Sequence, residues 1–247
     1  MEFESGNPTL NSKTFSRVGG YSSRVMTLNG TVNKTGILLL LLCATGSLTW
    51  GWASEDPGKA AGFAVLGMIV GLIAALVTSF KMEWAPVSAP VYALAEGLVL
   101  GAISAYFNQR YHGIVFQAVG LTVCVLAIML FLYRTRIIQP TERFTLGVVA
   151  ATGGIALLYF VNMILGMFGH GVPGIFGNGP FGIVFSLVVV GIAALNLIID
   201  FGVIEQGVNR GAPSYMEWYG GFAILVTLVW LYIEILRLLA KLNDRRN

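Results

Sequence analysis

The stretch Gly220–Ala240 reads GGFAILVTLVWLYIEILRLLA. As a helix it is long enough to cross the hydrocarbon core of a bilayer, which takes about 20 residues. It nevertheless carries an acid, Glu234. The apolar stretch before it, Phe181–Phe201, ends in NLIIDF and carries a second acid, Asp200. Placing an acid at the centre of a membrane helix costs about 2.5–3.5 kcal/mol on insertion scales, so both are candidates for a functional role.

Outward from this pair the chain repeats the same pattern. Five further apolar runs precede it: Gly36–Trp52, Ala60–Phe80, Val87–Phe107, Ile114–Tyr133 and Phe144–Phe168. Lipid offers no partner to a backbone N–H or C=O, so each run must close its own hydrogen bonds as a helix. The expected fold is an all-α integral membrane protein with seven transmembrane helices. Composition agrees: 56% of the 247 residues are hydrophobic and 11% are charged, whereas a soluble domain carries roughly 25% charged residues.

Residues 1–35 are rich in Ser, Asn, Gly and Thr and read as a polar cytoplasmic tail, with a short interfacial element near Phe15 as an alternative to disorder. The membrane domain is expected over 36–240, with a short basic tail at 241–247. No early apolar run marks a cleavable signal peptide. Cys43 and Cys124 are isolated within apolar runs, so neither a disulfide framework nor a metal site follows from them. The net charge of +3 comes from basic residues at segment ends. That pattern reports membrane topology and the bilayer as partner, and argues against nucleic acid.

Lys13, Arg17, Arg24, Lys34, Lys81, Arg134, Arg136, Arg143 and Arg210 fall on one side of the membrane, and only Lys59 and Arg110 in the loops opposite. The positive-inside rule then puts the N-terminus in the cytoplasm. The basic end, with Arg237, Lys241, Arg245 and Arg246, resists this, because seven full spans would place it outside. The glycine-rich stretch GMFGHGVPGIFGNGPFG could hold a re-entrant segment instead. Gly67 with Gly71, and Gly97 with Gly101, have GxxxG spacing, which lets a neighbouring helix approach closely. They read as packing devices within the bundle of a monomer or weak oligomer, with a dimer interface as the sharper alternative.

Asn196 lies four residues before Asp200 and Ser186 fourteen before it, a narrow polar stripe on a Val/Leu/Ile surface. The stripe must face the bundle interior or a water-filled cavity, unless Asp200 simply ends its helix among headgroups. Glu234 has Arg237 at i+3, so an intrahelical ion pair could neutralise it. Alternatively Arg237 snorkels outward and leaves Glu234 free. Glu96, near the middle of the third run, has no cation within a turn. It is either a neutral acid bonded to a neighbouring helix or part of a polar path. Two carboxylates in a low-dielectric site would share a proton and titrate together, which makes a pH-sensitive latch. Asp200, Glu234 and Asn196, with water, would also give a weak, transient Ca²⁺ site, and weak binding is what permeation needs. Glu205 and Glu217 read as solvated or interfacial loop acids, and His112 and His170 as loop histidines.

The segments FNQRYHGIVFQAV (107–119), LYRTRIIQPTERF (132–144), AALNLIIDFGVIEQGV (193–208) and APSYMEWYGGFAILVTLVWLYIEILRLLAKL (212–242) resemble the transmembrane Bax inhibitor motif family, in its bacterial Bax inhibitor/YccA-like branch. The resemblance covers 36–240. It implies a seven-helix bundle with six helices around a central last one. It implies a pH-sensitive calcium-leak channel whose sensor is a hydrogen-bonded aspartate pair from the sixth and seventh helices. Carried over by motif, these fall on Asp200 and Glu234 as pH sensor and gate, with glutamate replacing the second aspartate. Calcium would be a permeant ion, and no cofactor is implied. The stretch between the acids is longer than the pattern suggests. For the two to meet, the hairpin must turn near Glu217, the sixth helix must run on to about Val208, and the seventh must enter the membrane only after Gly220–Gly221. A seventh helix starting at Tyr215 would put the acids at different depths.

Enzymatic readings lack their residues. No lysine in 220–240 could carry a retinal Schiff base, only Asp200 among the aspartates lies in a span, and both histidines lie in loops. The alternative to a channel is a non-conducting regulatory protein that binds a membrane protease or another membrane partner through its N-terminal tail.

Overall fold

The computed structural model describes residues 24–169, 175 and 177–245. It contains seven helices long and apolar enough to cross a membrane: α1 (Leu28–Glu55), α2 (Pro57–Phe80), α3 (Ala85–Arg110), α4 (Ile114–Arg134), α5 (Glu142–Met167), α6 (Pro180–Asn209) and α7 (Met216–Asp244). Among the described residues there is no sheet. The protein is an all-α integral membrane protein, as its apolar runs predict. The most apolar stretch of α7 is 61% buried, against 11–22% in α1, α2, α4 and α5. The element near Phe15, and residues 170–174 and 176 of the glycine-rich stretch before α6, lie outside the described residues.

The contacts divide the chain into two units. The first holds the described residues of 24–112 together with 203–226. Its helices are delimited by local chemistry. Asp56 ends α1, and its carboxylate accepts from the Lys59 backbone N–H to cap α2, with Pro57 in the first turn where its missing N–H costs nothing. The GxxxG glycines pack inside this unit. Gly67 and Gly71 of α2 face Ala95 of α3, and a Cβ on Gly67 would stand 2.5 Å from the Ala95 carbonyl. Gly97 and Gly101 face α1, where added Cβ atoms would collide with Thr45, the Leu42 carbonyl and the Gly46 carbonyl. A buried bond from Thr78 Oγ1 to Ser88 Oγ, 2.7 Å, closes the α2–α3 pair.

The same unit ties down the chain ahead of α1. Met26 N–H donates to the Ala212 carbonyl (2.7 Å) and Ser214 N–H to the Arg24 carbonyl (3.0 Å), an antiparallel clip centred on Val25 and Pro213. Glu217, half-buried in the first turn of α7, accepts from Thr27 N–H (3.0 Å) and Thr27 Oγ1 (2.9 Å), while Thr27 caps α1 by accepting from Gly30 N–H. A Cβ at Gly30 would overlap the Glu217 carboxylate, so a larger residue there would displace that side chain from the cap. Glu217 is therefore a capping residue rather than a solvated loop acid. Helix α1 also starts eight residues before its apolar run. Its polar first turns remain compatible with the helix because Thr31 and Thr35 return their hydroxyls to the carbonyls four residues back.

The second unit holds the described residues of 113–202 and 227–245, with α4, α5, most of α6 and the later part of α7. Gly113 takes φ 80° ahead of α4, a left-handed conformation that suits glycine. Thr141 caps α5 by accepting from Phe144 N–H.

Two outcomes follow from these contacts. Gly97→Leu should lower the thermal midpoint in detergent by several degrees, since overpacking costs about 1–3 kcal/mol. Gly120→Leu, where an added Cβ meets nothing within 4 Å, is the control, and equal midpoints for the two would refute the packing role. Glu217→Ala should loosen the clip by about 1 kcal/mol, the usual cost of a lost cap, and speed trypsin cleavage after Arg24. An unchanged cleavage rate would show that Glu217 does not hold the clip.

Candidate functional site

Helix α6 carries the polar stripe Ser186, Asn196 and Asp200, and all three side chains are buried. In the second unit each has a partner on another helix. Asp200 Oδ2 accepts from Thr227 Oγ1 of α7 at 2.6 Å. Asn196 Nδ2 donates to Thr152 Oγ1 of α5 at 2.9 Å and to the Ile192 carbonyl of its own helix at 2.9 Å. Ser186 Oγ accepts from Lys241 Nζ of α7 at 2.9 Å. The stripe faces the protein interior, and Asp200, with 0% exposure, is no headgroup acid.

Two of these bonds define how α6 and α7 run past each other. Residue numbers sum to 427 for Asp200 with Thr227, and to 427 again for Ser186 with Lys241. The helices are antiparallel with one register along this length. In that register Glu234 is level with Ala193, seven residues from the Asp200–Thr227 contact. Seven residues of helix rise by about 10 Å.

Glu234 accordingly has partners of its own. Its Oε1 accepts from Tyr159 of α5 at 2.9 Å and from Arg237 at 3.1 Å. The Arg237 guanidinium sits 5.5 Å from the Tyr159 ring centroid. Its side chain is 48% exposed while that of Glu234 is 2% exposed, so the arginine holds its acid from the rim. Of the two readings of Arg237, the intrahelical ion pair is the one formed.

Asp200 and Glu234, expected to meet, are thus bound at different levels of α7. The cause is where α7 begins. It starts at Met216 rather than after Gly220–Gly221, and those glycines pack within the first unit against Thr31, Thr35, Leu38 and Ile204. The hairpin midpoint for a 200–227 contact falls at Pro213–Ser214, not Glu217. Helix α6 does continue past Val208, to Asn209. Glu96 lies in the other unit, half-buried on α3, with its carboxylate beside Gly71 of α2.

Among the described residues, no group of three or more His, Cys, Asp or Glu side chains is placed to hold a metal ion. Outside the spans, burial raises the pKa of Tyr215, assisted by the charge of Glu83.

Thr227, Tyr159, Thr152 and Lys241 complete the site and were not singled out from sequence. A threonine in a membrane helix ordinarily bonds its own backbone, so Thr227 and Thr152 carry no distinguishing signal. Tyr159 does carry one, as a phenol in the middle of an apolar run, where its hydroxyl needs a partner.

The family model described as Bax inhibitor 1 like matches residues 7–244, which includes all seven helices. No curated protein and no solved structure matches the chain. With nearly its whole length matched, and with the seven membrane-length helices already described, the chain belongs to the Bax inhibitor 1 like family.

Proposed function

We propose that the protein is a pH-sensitive calcium-leak pathway in a bacterial inner membrane, with its N-terminus in the cytoplasm. Asp200 is its proton-responsive element. The observation that carries this reading is the fully buried Asp200 carboxyl bonded to a hydroxyl of the neighbouring helix. A threonine hydroxyl donates to a carboxylate and accepts from a carboxylic acid. The α6–α7 link therefore survives titration, while the charge presented along α6 changes by one unit. Asp200 and Glu234 act in series on a passing cation rather than as one proton-sharing latch. Glu234 is paired with Arg237 and bears on the size of the flux. A weak carboxylate–calcium contact suits this role, because the ion must also leave.

The test is Ca²⁺ flux into proteoliposomes across the range from mildly acid to neutral pH. Asp200→Asn mimics the protonated form, so its flux should match that of the parent at the acid end and stay flat as pH rises. Glu234→Gln should change amplitude and keep the parent's midpoint. A parent that passes no Ca²⁺ at any pH removes the channel reading, and an Asp200→Asn protein with the parent's pH profile removes the sensor.

One observation favours a second reading, a non-conducting regulator that binds a membrane protease or other membrane partner. The clip between 24–27 and 212–214 joins the N-terminal chain to the connection between α6 and α7, so a partner gripping residues ahead of Arg24 would act on that connection. Deleting residues 1–23 leaves the Thr27 cap in place and separates the two. A leak pathway keeps its flux, and a partner-binding regulator loses its function.

A further inference from the structure

Among the described residues, two buried side-chain atoms have no hydrogen-bond partner: Asn196 Oδ1 and Thr145 Oγ1. Asn196 is 2% exposed and Thr145 3% exposed. Such atoms are rare in folded proteins, because each costs about 1–3 kcal/mol if nothing binds it. The Asn196 amide cannot simply be turned over. Its Nδ2 lies 2.9 Å from the Ile192 carbonyl, and a flip would set acceptor against acceptor there. Thr145 is also unlike its neighbours. Thr31, Thr35, Thr45, Thr49, Thr78 and Thr122 all return their hydroxyls to the carbonyl four residues back, and Thr145 does not.

Both atoms belong to the seam between α5 and α6, close to Asp200. Three contacts give the register of that seam: Thr152 with Asn196, Tyr159 with Phe185, and Pro140 with Gly202. Their residue numbers sum to 348, 344 and 342, so the helices are antiparallel and Thr145 is level with positions 197–203. Thr145 shares a face of α5 with Thr152, two turns on, and with buried Val148 and Ile155. Asn196 is one turn from Asp200 on α6. Within about a turn of Asp200 the seam thus presents a fixed amide oxygen and a hydroxyl, both unsatisfied by protein.

We propose that Asn196, Thr145 and Asp200 form an oxygen-lined aqueous path in the α5–α6 seam, through which a hydrated hard cation reaches Asp200. This rests on the leak reading above and names the residues that line its route. The amide oxygen and hydroxyl hold the cation's water shell, and the carboxylate supplies the charge. Oxygen-only ligands of this kind select cations such as Ca²⁺ over anions. Thr152 acts as a positioning residue, since its bond to Nδ2 fixes the orientation of the Asn196 amide.

Cysteine accessibility tests the path without relying on conductance. In a Cys43→Ala, Cys124→Ala background, Thr145→Cys and Asn196→Cys would be treated in proteoliposomes with cationic and anionic methanethiosulfonates. Methanethiosulfonates need a hydrated thiolate, so both sites should react about tenfold faster than Leu146→Cys, which is 71% exposed on the outer face of α5. The cationic reagent should outpace the anionic one, and Ca²⁺ should slow it. Rates no faster than Leu146→Cys at both sites overturn the path, and equal rates for the two reagents overturn its cation preference. The two hypotheses fail separately. Labelling in a protein that passes no Ca²⁺ leaves the path and removes the channel; flux without labelling does the reverse.

Discussion

The 2.6 Å bond from Thr227 to Asp200 sets the terms for the rest of the second unit. A buried carboxyl with no partner would cost several kcal/mol in lipid. Pinning it to α7 fixes the height of that helix against α6. From this register follow the meeting of Lys241 with Ser186 and the placement of Glu234 beside Ala193 and Tyr159. Sliding α7 by one turn would break the Asp200–Thr227 and Lys241–Ser186 contacts together. One hydrogen bond thus selects one arrangement of two long helices whose other surfaces are interchangeable Leu, Ile and Val.

The two units hold their helices by different chemistry. In the first, glycines let α2 and α1 approach α3 until backbone atoms touch, and dispersion supplies the attraction that lipid-facing Leu cannot. In the second, α5, α6 and α7 are joined by side-chain hydrogen bonds from Thr152, Thr227, Tyr159 and Lys241. Gly120, Gly147, Gly153, Gly154 and Gly191 of that unit face nothing within 4 Å of an added Cβ, so they take no part in close packing. Glycine contacts depend on shape alone and are indifferent to pH. Contacts through Asp200 and Glu234 run through carboxyl groups and their hydrogen-bond donors.

The fold was legible because the bilayer leaves few options. Apolar runs of spanning length must be helices, and the stripe through Ser186, Asn196 and Asp200 must turn inward. The GxxxG pairs could be read as internal packing because the spacing itself describes a helix face. The register of α6 against α7 was not legible. It depends on where α7 starts, and Gly220–Gly221 mimic a helix boundary while serving as a contact surface for Thr31 and Thr35. The Glu217 cap was equally hidden. Its partner Thr27 is 190 residues away in sequence, and no local pattern encodes that pairing.

The replacement of an expected acid pair by an acid–hydroxyl pair changes what a proton can do. Two carboxyls sharing one proton are linked when it is present and repelled when it is gone, so titration would move helices. Asp200 and Thr227 keep a bond in both states, because the hydroxyl can reverse its role. Titration then alters the field along α6 while the register stays in place. Glu234 instead accepts from Tyr159 and Arg237, one turn and more away from the Asp200–Thr227 contact. On the proposed leak reading, two duties that a shared-proton pair combines are thereby separated: Thr227 keeps the helices together, and Asp200 carries the change of charge.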